Sequence, residues 1–60
     1  MNLLTKVYNM FKIIGRYNQG RYEGSWEVID TANSRVEIYY MLDEYILSFG
    51  NKWELEVLEE

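Results

Sequence analysis

Sixty residues allow one small domain over residues 1–60, and a chain of this size buries only about 60% of its unfolded surface. With neither Cys nor His it can form no disulfide and lacks the usual ligands of a structural zinc site, so dense apolar packing or oligomerisation must supply its stability. The net charge of −4 speaks against direct nucleic-acid binding, which draws its affinity from neutralising phosphates.

That charge is unevenly placed. Residues 1–22 hold Lys6, Lys12, Arg16 and Arg21 and no acid, whereas residues 23–60 hold all ten acids against Arg35 and Lys52. A two-ended charge distribution of this kind can steer a partner or a second copy of the chain. A hydrophobic fraction of 48% with ten aromatics (six Tyr, two Trp, two Phe) fits a homo-oligomer, most simply a dimer.

The opening MNLLTKVYNMFKII is interrupted by Lys6 and Lys12 and is too short for a membrane span of about 20 apolar residues, which makes no membrane and a cytoplasmic location the expectation. Its periodicity predicts a helix over residues 2–14. Leu3, Leu4, Val7, Tyr8, Met10, Phe11 and Ile14 share one face, Asn2 can cap its start, and Gly15 can stop it. Val7, Ile13 and Ile14 are β-branched, which leaves an alternative with residues 10–17 already in a strand.

From Arg21 the period becomes two. Tyr22, Gly24, Trp26 and Val28 alternate with Glu23, Ser25 and Glu27, as in a half-buried strand. Asp30–Ser34 (DTANS) has turn chemistry, and Val36, Ile38, Tyr40 and Leu42 then alternate with Glu37, Tyr39, Met41 and Asp43, with a turn at Asp43-Glu44. A helical alternative covers residues 34–49, because Ser34–Glu37 (SRVE) matches a capping box, Gly50 can be a C-cap, and Ile38, Leu42, Tyr45 and Phe49 form a helical stripe.

Gly50-Asn51 lies between two apolar runs, which predicts a hairpin of Ile46–Phe49 with Trp53–Leu58. The expected fold is therefore α+β: an N-terminal helix packed on a four-stranded antiparallel meander able to curl toward a small barrel. Trp26, Val28, Val36, Ile38, Tyr40, Trp53, Leu55 and Val57 are its expected inner face.

The stretch Gly15–Val28 (GRYNQGRYEGSWEV) has three glycines but no phosphate-loop or dinucleotide fingerprint, and a strand rather than a helix follows it. Local roles suffice, with Gly20 completing a turn and Gly24 relieving crowding or permitting a bulge. Lys12, Arg16, Arg21 and Tyr22 nevertheless form an alternative site for a small anionic ligand or nucleotide, held by charge and stacking.

Catalysis lacks its commonest nucleophile and base, and the serines stand in no GxSxG setting. The acid pairs Asp43-Glu44, Glu27-Asp30 and Glu54-Glu56 read as solvated faces, and no enzyme activity, cofactor or metal is expected. The outer sheet face is expected to gather Glu23, Glu27, Glu37, Glu54 and Glu56 around Tyr39 and Met41, an acidic rim about apolar anchors. The function expected is that of a small acidic inhibitor or regulator of a larger protein with a basic surface, by analogy with such proteins carried by phages. The alternatives are an oligomer that sequesters an anionic ligand and a structural subunit of a larger assembly.

Overall fold

The computed structural model describes residues 10–60. It has the order β1 (Phe11–Gln19), β2 (Tyr22–Glu23), β3 (Glu27–Ala32), α1 (Arg35–Phe49) and β4 (Trp53–Glu59). The α+β class and the antiparallel sheet are as expected, and the arrangement within that class is different.

Strand β1 is the centre of the sheet. Its pairing to β2 and then β3 runs down one edge, and β4 lies along the other with an unbroken register from Phe11↔Glu59 to Tyr17↔Trp53. The apolar run FKII suits a strand flanked on both sides. Because β3 and β4 both run antiparallel to β1, α1 joins two parallel strands across the strand between them, a split βαβ unit. The sheet is open, since β3 and β4 pair only with β1, and the barrel expectation is not met.

The expected helix over residues 2–14 is overturned from Phe11 onward, where the chain is already extended; residues 1–9, including the proposed Asn2 cap, lie outside the described residues. Gly15 consequently ends no helix. It sits mid-strand, where the Leu55 side chain crosses so closely that a Cβ on Gly15 would stand 2.6 Å from Leu55 Cδ2. Ile29 bulges over the same spot, the β1–β3 register slipping between Ile13 and Ile14.

The strands expected at residues 36–42 and 46–49 are also overturned, in favour of the helical alternative. Ser34 is extended (φ −126°, ψ 136°) and its Oγ accepts the Glu37 N–H at 3.2 Å. At the far end Gly50 has φ 83° and donates its N–H to the Ile46 carbonyl at 3.2 Å. Both ends of the helix are thus chemically specified, whereas the alternation of Val36, Ile38, Tyr40 and Leu42 arises because α1 carries apolar residues on two opposite faces.

One face of α1 lies on the sheet. Ile38 is fully buried with Ile13 and Phe11, and Met41, Leu42, Tyr45, Ile29, Ala32, Leu55 and Val57 pack around them. Leu55 and Val57 face inward as expected, while Trp26, Val28, Val36 and Tyr40 do not. Five aromatics continue this layer: Tyr22, Tyr17, Trp53, Phe49 and Tyr45 follow one another at centroid spacings of 5.8, 5.9, 5.0 and 5.6 Å. They fasten the last turns of α1 to the β1–β2 hairpin, whose turn uses Gly20 at φ 61°.

Candidate protein-binding faces

Residues directly opposite in an antiparallel register share a face, which sorts every polar side chain of the sheet. Phe11, Ile13 and Gly15 face α1, so Lys12, Ile14, Arg16 and Asn18 point to the open side. With them stand Leu58 and Thr31 beside Lys12, Glu56 and Val28 beside Ile14, Glu54 beside Arg16, and Glu23 beside Asn18.

The centre of this open face is a charge network built on Arg16. Its Nε meets Glu54 Oε1 at 3.1 Å, its NH1 lies 3.5 Å from Glu23 Oε1, and its guanidinium stacks 4.8 Å from the Trp26 ring centroid. Asn18 Nδ2 donates to the other Glu54 oxygen. The hydrogen bonds from Asn18 and then Arg16 hold the Glu54 carboxyl below its ordinary value. Lys12 Nζ is 3.0 Å from Glu60 Oε1. Among the described residues Glu56 and Glu27 have no ion-pair partner. Val28 (54% exposed) and Trp26 on the β3 side and Leu58 on β4 add exposed apolar surface on either side of these charges.

The seven residues expected on one outer face therefore divide. Glu23, Glu54 and Glu56 share the open sheet face; Glu27 lies on the β3 edge, opposite Gly15 and so on the side of the sheet that faces α1. Glu37, Tyr39 and Met41 belong to α1, where Met41 packs on the core and Glu37 serves the helix start. The four residues of the anionic-ligand site are separated as well. Lys12 and Arg16 are on the open face and engaged by carboxylates, Arg21 is in the exposed turn, and Tyr22 stacks on Tyr17 on the opposite face.

A second surface was not legible as such in the sequence. At 100° per residue Val36, Tyr40, Asp43 and Leu47 form one stripe of α1 directly opposite the buried stripe, with Tyr39 and Ile46 along its flank. Val36, Tyr40 and Leu47 are 80%, 67% and 85% exposed. The spacing of positions 36, 40 and 47 is the signal that would have found it, once residues 34–49 are read as helix.

No family model, characterised protein or solved structure matches the chain. Its surfaces must therefore speak for themselves. No helix among the described residues is long and apolar enough to cross a membrane.

Proposed function

We propose that the protein is a non-enzymatic inhibitor or regulator that acts by seating the open face of its sheet on a larger protein with a basic surface. The observation that carries this reading is the composition of that face: Glu23, Glu54, Glu56 and Glu60 share it with exposed Trp26, Val28 and Leu58. Exposed apolar anchors among charges mainly of one sign suit a macromolecular contact, in which the charges accelerate encounter and the anchors set the lifetime. The two cations that the described residues place on this face are already held by its own acids, so the described part of the face is acidic in outward character. Glu56 is the acid best placed to meet an incoming Lys or Arg, since its neighbours across the strands are Ile14 and beyond it Val28.

The test is native mass spectrometry of the tagged protein purified from its own cells, for the wild type and for Glu56→Lys and Leu58→Ser. A stoichiometric basic protein retained by the wild type and lost with both variants is the expected result. Retention of no protein, or of one that survives both substitutions, overturns the reading. A retained mass of a few hundred daltons lost on replacing Lys12 and Arg16 would replace it with ligand sequestration.

A further inference from the structure

We infer that the outer stripe of α1 is the interface with a second copy of this chain, the two helices packing antiparallel about a two-fold axis near Tyr40 and Asp43. Independent of the acidic-face reading, this inference concerns the opposite side of the molecule.

The need for a cover comes from the core. Among the described residues Phe11, Ile13 and Ile38 are the only large apolar side chains that are buried, while Val36, Tyr39, Tyr40, Ile46 and Leu47 are all exposed on one helix. A solvated helix presents polar residues opposite its buried stripe; α1 presents Val36, Tyr40 and Leu47. Complete burial of these five side chains would approach the roughly 800 Å² per partner of a standard interface.

The occupant follows from what happens when the stripe is turned end over end onto itself. In an antiparallel pair whose facing residue numbers sum to 83, Val36 meets Leu47 of the partner copy and Tyr40 meets Asp43. Each relationship occurs twice by symmetry, as an isologous interface requires. Apolar side chains close both ends, and both carboxylates near the centre receive a tyrosine hydroxyl, a donor that satisfies a carboxylate as it loses water. The reverse orientation fails on the same residues, because parallel helices in register would set Asp43 against Asp43 and Tyr40 against Tyr40. Antiparallel helices also place opposite ends of their dipoles together. The dimer would be a four-layer stack of sheet, helix, helix and sheet, leaving both acidic sheet faces outward.

Sedimentation velocity of the full chain at increasing concentration is the test. The wild type is expected at twice the 7.3 kDa chain mass. Leu47→Glu and Val36→Lys, at positions that touch little within the monomer, should each weaken the dimer by more than about 30-fold while leaving the circular dichroism spectrum of the fold intact. The double variant Val36→Lys/Leu47→Glu sets opposite charges across both ends of the antiparallel pair and should recover part of the loss. A wild type that stays at 7.3 kDa, or a dimer indifferent to both single substitutions, overturns the proposal. A double variant no better than the single ones overturns the antiparallel register.

Discussion

The hydroxyl of Tyr45 donates to Asp30 Oδ2 at 2.7 Å, tying the third turn of α1 to strand β3. The Tyr45 bond, helped by the Thr31 N–H, lowers the Asp30 carboxyl from its ordinary 3.8, and the same bond raises the Tyr45 hydroxyl above 10.0. An acid depressed by folding stabilises the fold above its unfolded value and loses that contribution as the pH falls toward the folded one. A phenol raised by folding stabilises it below its unfolded value and loses that as the pH climbs through the folded one. Tyr45→Phe should therefore lower the urea midpoint at neutral pH, and its difference from wild type should shrink both below pH 3.8 and above pH 10.0. A difference that stays constant across that range would show the bond to be without effect.

Gly15→Ala tests the crossing of Leu55 over β1. The added Cβ meets Leu55 Cδ2 at 2.6 Å, Ile29 Cγ1 at 3.2 Å and the Glu54 carbonyl oxygen at 3.3 Å, and the last is backbone that cannot rotate away. Overpacking of this kind costs about 1–3 kcal/mol. Thermal unfolding should move down by about 4–8 °C per kcal/mol for a domain of this size. Shortening the crossing side chain in Gly15→Ala/Leu55→Val should return part of the loss, and additive losses in the double variant would locate the strain elsewhere.

Helix α1 should be sensitive at its two ends. Ser34→Ala removes the acceptor for the Glu37 N–H and is expected to cost about 1 kcal/mol. Gly50→Ala places a side chain at φ 83°, ψ −177°, a region essentially reserved for glycine, and should cost more, about 1–3 kcal/mol. Urea titrations followed at 222 nm measure both, and unchanged midpoints would show that packing alone determines the helix limits.

Arg16 should report on Trp26. In a Trp53→Phe background the remaining indole lies under the guanidinium at 4.8 Å, and Arg16→Ala should shift its emission to longer wavelength as water replaces the cation. Glu54→Gln should reduce the loss of stability on acidification, since a carboxyl held below its ordinary value contributes only above it. Identical acid profiles for Glu54→Gln and the wild type would count against this.

Of the sheet only β4 was legible with its bounds, because its cues are local; the strand expected from Tyr22 to Val28 breaks at residues 24–26, and most of the turn expected at Asp30–Ser34 belongs to β3. Trp53, Leu55 and Val57 alternate with Glu54 and Glu56, and the alternation survives intact in β4. Ser34 and Gly50 likewise marked the helix that forms between them. What misled was composition on the far side of each element. Phe11 and Ile14 fit a helix stripe as well as a doubly flanked strand, and only the presence of β3 and β4 on both edges decides between them. Val36 and Tyr40 look like inner residues because they are apolar, and their outward direction depends on which helix face the sheet occupies. The open face was partly visible in Glu23, Glu54 and Glu56, whereas Glu27 points to the other side and Glu37, Tyr39 and Met41 leave with the helix.

The central position of β1 also orders events during synthesis. Its hairpin with β2 and β3 can form early, yet its other edge stays bare until β4 has been made, with Phe11 waiting for Glu59 and Met10 for Glu60 across nearly the whole described chain. A nascent chain halted after α1 would expose a ready template for strand addition. The glutamates of β4 have a further consequence: a finishing strand so densely acidic is a poor match for β4 of another copy, which disfavours pairing of unclosed chains through that strand.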